Sequence, residues 1–378
     1  MYVDDLLTGA NTIEDALIIR NQITELLQKG NRNIRQWASN DLRLLEGLPE
    51  DNINSKLNIE TNPILKTLGI HWESQEDIIS YTLAKLPEEA SMRIILAEIA
   101  KIFDPLGLLG PIIVAARLIL QECWRQQLEW DQKLPTTIQS AWSEYVTDFN
   151  QVQTISYHRG VIPPDTVDLQ LHGFADASEK AYGACIYLRC ITSSGTIQTK
   201  LLCAKSKVAP LQNVVLARLE LCAAVMLSQL YETVKERSHI EIPRAFFWSD
   251  STITLHWVNT PSYQLKTFVA NRVADIQTKT QVSTWRHVRS EDNPADAISR
   301  GQSPSNFINN SLWNYGPAWL SLPGLEWPPS IISSPVDDQE KRKLSCLATC
   351  IKGECLDDSF IKTFKTISHL HRVIAKCL

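Results

Sequence analysis

The chain has 378 residues, room for two or three domains at about 100–200 residues each. Hydrophobic residues make up 44% and charged residues 21%, the ordinary balance of a globular protein with ample material for a core. A formal charge of −5 excludes a wholly basic nucleic-acid coat, while leaving room for a local basic groove beside acidic residues.

The opening "MYVDDLLTG" predicts a strand-turn-strand with two adjacent carboxylates, Asp4 and Asp5, set in an apolar frame. "NTIEDALIIRNQITELLQKGN" predicts an amphipathic helix capped by Asn11 or Thr12, with Ile13, Ala16, Leu17, Ile23, Leu26 and Leu27 on one face and a stop at Gly30. "ILKTLGIHWES" and "IISYTLAKL" predict strands. Residues 88–150 read as helical, broken by "FDPLGLLGP", with Leu118, Ile119, Cys123, Trp124 and Leu128 as a buried stripe.

After the connector "VIPPDTVDL" at 161–169 the pattern changes. Three strand-like runs, "LQLHGFADAS", "AYGACIYLRCI" and "IQTKLLCAKSKV", precede the helix "LARLELCAAVMLSQLYETVKER". Then come a strand "RAFFWSD", two helical pieces, a strand "VSTWRHVRS" and a short helix "NPADAISRG". This order predicts one α/β domain over 165–301. Residues 302–378 read as a linker with short docked turns, closed by a basic amphipathic helix, "FIKTFKTISHLHRVIAKCL".

Nine scattered cysteines, mostly in apolar patterns, read as small core residues in a reduced setting, which points to an intracellular, cytoplasmic or nuclear protein rather than a secreted one. "CLATCIKGEC" with the later "HLH" has no standard zinc spacing. The longest apolar stretch, 106–120, contains Pro111 and Arg117 and is too short for a membrane span.

Four acids of the 165–301 unit stand at special places: Asp176 closes a strand, Glu220 lies in the first turns of the long helix amid apolar neighbours, Asp250 ends a strand, and Asp296 starts the last helix. Strand ends and helix starts can meet at one point, where four carboxylates repel unless cations compensate. Hard oxygen donors suit two Mg²⁺ or Mn²⁺ ions, the equipment for in-line phosphodiester displacement. Singly, each acid is equally explained as a turn residue or a helix cap.

"GFADAS", "SKVAPLQNVVLARLELCAA", "WSDSTITLHWV", "TFVANRVADIQ" and "WRHVRSEDNPADAISRG" resemble the RNase H domain of Pao/BEL-type LTR retrotransposon polyproteins. The resemblance implies an RNase H-like fold with a mixed five-stranded sheet. It also implies metal binding by Asp176, Glu220, Asp250 and Asp296, and Mg²⁺-dependent cleavage of the RNA strand of an RNA–DNA hybrid. Relatives often carry a proline before the Arg-Leu-Glu, where this chain has Ala217. His287 is a candidate proton-handling residue, though the shorter "RHVRSEDNPAD" also fits a plain strand histidine. Lys205, Lys207, Lys266, Arg272, Arg286 and Arg289 are candidate phosphate contacts, with a solvated basic face as the alternative. Trp257 reads as core.

"YVDD", with the segments that follow it, resembles the Tyr-x-Asp-Asp hairpin of reverse transcriptases, so Asp4 and Asp5 resemble two of three palm carboxylates. Without the third, no polymerase activity is expected from this chain alone. The block from "ILAEIAKIFDPLGLLGP" to "WDQKLP" resembles a region that carries the label Pao retrotransposon peptidase, or peptidase A17. The sequence has no Asp-Thr/Ser-Gly turn, so thumb or connection helices are expected there. The expected organisation is a palm remnant at 1–80, a helical connection at 81–160, RNase H at 165–301 and a pre-integrase linker at 302–378. Partners would be an RNA–DNA hybrid and other pol segments, with no membrane. A nucleic-acid-binding remnant without catalysis is the alternative.

Overall fold

The structure is a computed structural model that describes residues 6–10, 12–54, 64–67, 70–152, 154–238, 240–329, 340–342, 364 and 366–377. Asp4, Asp5 and the cysteines at 346–355 lie outside the described residues. The chain forms two compact units, 1–340 and 341–378.

In the first unit, helix α1 (Ile13–Lys29) is capped by Thr12, whose hydroxyl accepts from the Asp15 amide, and none of its residues is buried. Strands β1 (Ile64–Thr67), β2 (Ile70–Glu73), β3 (Ile78–Thr82) and β4 (Thr154–His158) form an antiparallel sheet in that order. Between β3 and β4 run α2 (Met92–Lys101), α3 (Gly110–Arg125) and α4 (Thr136–Phe149). Asp104, in the "FDPLGLLGP" break, accepts from the Leu108 and Leu109 amides and so starts α3. Of the stripe expected here Cys123 is buried and Leu118, Ile119 and Leu128 are half-buried, while Trp124 is exposed; Ile112, Ile113, Ala116 and Leu120 complete the buried side of α3. The face is fixed by the sheet beneath it, so Trp124 turns outward and meets Trp130 edge-on at 5.2 Å.

The larger sheet has the order β7-β6-β5-β8-β9. β5 (Thr166–Ala177), β6 (Ala181–Thr192) and β7 (Ile197–Val208) form an antiparallel meander. Helix α5 (Leu216–Arg237) then carries the chain across to β8 (Arg244–Ser249), which pairs parallel with β5, as a parallel strand requires a crossover. α6 (Thr252–Asn259) and α7 (Thr267–Lys279) lead to β9 (Trp285–His287), parallel to β8, and then to the one-turn helix α8 (Asp296–Arg300).

From Leu169 onward β5 is buried on both faces, its polar Gln170, His172 and Asp176 included. Its side chains alternate between two cores. Leu171 and Ala175 join Leu221, Ala224, Leu227, Phe247 and Val273 under α5 and α7. Phe174 joins Tyr187, Trp248, Ile112, Trp142, Trp313 and Trp319 on the opposite face. That second core contains α2, α3 and α4 and also the stretch after α8, where a linker is expected. Short helices α9 (Pro304–Ile308) and α10 (Ser311–Tyr315) and the turns to Trp327 are built in: Tyr187 donates to the Trp313 carbonyl at 2.6 Å, and buried Arg189 donates to the Leu320 and Leu322 carbonyls at 2.6 and 2.9 Å. Trp257 is buried, and so are Cys123, Cys185, Cys190 and Cys203.

The second unit holds helix α11 (Ile367–Cys377). No helix among the described residues is long and apolar enough to cross a membrane.

Candidate metal centre

Three carboxylates meet at the ends of the central strands. Phe174 and Asp176 share a face of β5, and β5 runs in register with β8 so that Ala175 lies beside Ser249. One step further on, Asp176 and Asp250 come side by side. α5 lies tight against β5, because Gly173 has no side chain where a Cβ would stand 2.5 Å from Leu227 Cδ1. That approach brings Glu220, in the second turn of α5, over the same strand ends. Oxygens of Asp176, Glu220 and Asp250 all lie within 4.8 Å of one another.

Burial shapes the charge of the group. Asp176 and Glu220 are 3% and 8% exposed. Burial pushes the Glu220 carboxyl up to about 9, with the charges of Asp176 and Asp250 acting the same way, while the Ala177 backbone and Arg300 pull it back. Burial and then the Asp250 charge push Asp176 up to about 7, against a hydrogen bond from Ser299. Glu220 Oε2 is buried with no hydrogen-bond partner among the described residues. A buried, unpartnered carboxylate oxygen on an acid clustered with two others is costly unless a cation fills the gap. Three hard oxygen donors fit a divalent ion of the Mg²⁺ or Mn²⁺ type.

The fourth expected acid, Asp296, stands apart from this cluster. It begins α8, and its Oδ1 accepts from Arg300 Nε on the same helix. Neutral donors hold the other acids. Ser299 Oγ donates to Asp176 Oδ2, and Ser290 Oγ donates to Asp250 Oδ2 at 2.6 Å. Fully buried Asn293 donates to the Ala175 carbonyl at 3.1 Å and reaches Asp250 Oδ1 at 3.5 Å, while its own Oδ1 accepts from the Ala295 amide. Ser290, Asn293, Ser299 and Arg300 were not singled out from sequence. All four lie in "SEDNPADAISRG", and the signal was the i, i+3 and i, i+4 spacing of Ser299 and Arg300 from Asp296 on one helical turn.

α8 owes its place to α3. Gly301 follows it with φ +75°, and a Cβ there would sit 3.0 Å from Ala115 backbone atoms of α3. The Gln302 amide donates to the Pro111 carbonyl at 3.1 Å.

The candidate phosphate contacts are dispersed. Lys205 and Lys207 are exposed on β7, opposite Ala184 and Tyr182. Lys266 precedes α7 and its amide donates to the Glu340 carbonyl at 2.8 Å. Arg272 stacks over Phe268 at 3.6 Å and donates to its carbonyl. Arg286 packs over Phe246, Trp248 and Trp327, 4.8–5.9 Å from each ring centre, which gives it a packing role. Arg289 is exposed and faces Glu291 at 3.4 Å. His287 lies in β9 opposite Ser249.

A five-stranded sheet with three antiparallel strands, two parallel ones and acids at the central strand ends is an RNase H-like fold. Residues 91–251 match the family model described as "Pao retrotransposon-like RNaseH-like domain". The match begins at Ser91, the cap of α2, so it takes in the helices for which a peptidase label is expected, and its description is of an RNaseH-like domain. It spans Asp176, Glu220 and Asp250 and ends before Asp296. No curated protein matches the chain. Among solved structures, an N-terminal RNase H domain from Mycobacterium tuberculosis, determined as a fusion with maltose binding protein, is 11% identical over 39% of this chain and 99% of its own, with a TM-score of 0.26. RNase H1 from the halophilic archaeon Halobacterium salinarum NRC-1 is also 11% identical, over 35% of this chain and 93% of its own, with a TM-score of 0.23. At those scores neither likeness bears on the argument, and the fold class rests on strand order and the family match.

Proposed function

We propose that the chain is a divalent-metal-dependent ribonuclease that cleaves the RNA strand of RNA–DNA hybrids, as a segment of a Pao-type retrotransposon polyprotein. The observation that carries this reading is the buried trio Asp176, Glu220 and Asp250, with an orphaned oxygen on Glu220. These three residues would hold the ions, and Asp296, on the same short helix as the Ser299 that donates to Asp176, would be a fourth donor. Divalent ions held there would supply an activated water for attack on phosphorus and a charge to stabilise the leaving oxygen.

The protein supplies the rest. Ser299 and the Ser290–Asn293 pair fix the orientation of Asp176 and Asp250 before any ligand arrives, so little reorganisation is left for the reaction. A wide minor groove lined with 2′-hydroxyls distinguishes a hybrid from B-form DNA, and Lys205, Lys207, Lys266 and Arg289 are the exposed cations of the candidate set that can reach its phosphates. The unpaired described cysteines agree with a reducing, intracellular site of action.

The test is hydrolysis of an RNA–DNA hybrid by the full chain in Mg²⁺, beside Asp250→Asn, an all-DNA duplex and a chelator control. RNA-strand cleavage lost in the variant and in chelator is expected. A folded chain that binds hybrid but leaves it intact in Mg²⁺ and in Mn²⁺ would establish a binding remnant instead.

A further inference from the structure

The fourth acid is not idle in this structure; a cation already holds it. Asp296 and Arg300 face each other across one turn of α8, with side chains 37% and 65% exposed. The three clustered acids receive only neutral donors among the described residues: Ser299 on Asp176, Ser290 and Asn293 on Asp250, the Ala177 backbone on Glu220. Arg300 is therefore the charged group nearest to balancing them. Its protonated form is supported first by Asp296 and further by Asp176 and Asp250, and it draws the Glu220 carboxyl down in turn. The backbone around the pair is fixed by the Gly301–Ala115 contact, so a change in the pairing must come from the long, exposed Arg300 side chain.

We propose that Arg300 is a positioning residue and resident counter-charge: it occupies Asp296 when no ion is bound and yields that carboxylate when divalent ions load. An exposed ion pair is weak enough for a divalent ion to displace and strong enough to compete with it. The inference rests on the metal-dependent reading of the site.

Calorimetric titration of the full chain with Mn²⁺ tests it, using the parent, Arg300→Met, Arg300→Lys, Asp296→Asn and the double variant. Arg300→Met keeps the aliphatic stem and removes the competitor, so Mn²⁺ binding should tighten by about two- to fivefold. Arg300→Lys, which retains the charge, should stay near the parent. Asp296→Asn should weaken binding, and adding Arg300→Met to it should change nothing further, because the competed carboxylate is gone. Binding by the parent with Arg300→Met equal or weaker overturns this inference while leaving the metal centre intact. No Mn²⁺ binding by a folded parent chain overturns both.

Discussion

Raising the pH in the absence of divalent ions should destabilise this protein at its buried acidic cluster. In the folded, metal-free chain burial holds Asp176 protonated up to about pH 7 and Glu220 up to about pH 9, whereas in the unfolded chain both ionise near their ordinary values of 3.8 and 4.5. A carboxyl whose folded pKa is raised contributes stability that is complete below its unfolded value and is lost as pH rises through the folded one. The window is therefore about pH 4 to 9. At about 1.4 kcal/mol per tenfold, Asp176 alone accounts for a loss on the order of 4 kcal/mol across it. Glu220 adds to that, though not in full, because each acid is raised partly by the charge of its neighbours. Urea unfolding in chelator at pH 5.5, 7 and 8.5 measures the slope, and the same series in Mg²⁺ measures its reversal, which should grow with pH as ions meet fewer protons. Stability that is flat or rising with pH in chelator, or a Mg²⁺ increment equal at pH 5.5 and 8.5, would refute the buried-trio argument.

Gly301→Val places a β-branched residue at φ +75° against Ala115, at a cost of roughly 2–5 kcal/mol, so thermal unfolding should come roughly 5–15 °C earlier; an unchanged Tm would mean α8 does not rest on α3. Ser299→Ala removes the donor to Asp176 and should lower kcat for hybrid cleavage by about 10- to 100-fold, on the order of 1–3 kcal/mol, with KM nearly constant; a change in KM alone would place Ser299 in substrate binding. A fragment limited to 165–301 should fail to show a cooperative melt by circular dichroism, while 91–329 should melt cooperatively, because the short fragment bares Phe174, Tyr187 and Trp248.

Much of the 165–301 stretch is legible in the sequence because its elements announce themselves locally. The β5–β7 runs are β-rich and bounded by polar turns, and α5 has an unbroken apolar face. The acids were legible for the same reason: Asp176, Asp250 and Asp296 end or begin elements, and Glu220 is out of character among Leu219, Leu221 and Cys222. What was not legible depends on contacts between distant segments. Ser290, Asn293 and Ser299 are ordinary turn and helix residues until the fold presses them against Asp250 and Asp176. Trp313, Trp319 and Trp327 sit among prolines and serines with neither helical nor strand periodicity, and only the second face of the sheet explains why they are buried. Trp124 was misplaced in the α3 stripe for a related cause: a helix with apolar residues nearly all round takes its buried side from its neighbour.

The clamp of Arg189 on the Leu320 and Leu322 carbonyls has a consequence for how such a chain can be cut. Backbone held by a buried guanidinium and flanked by Trp319 and Trp327 cannot enter the extended groove of a protease without first stripping the sheet. Cleavage at the Leu320–Leu322 backbone therefore selects for unfolded chains.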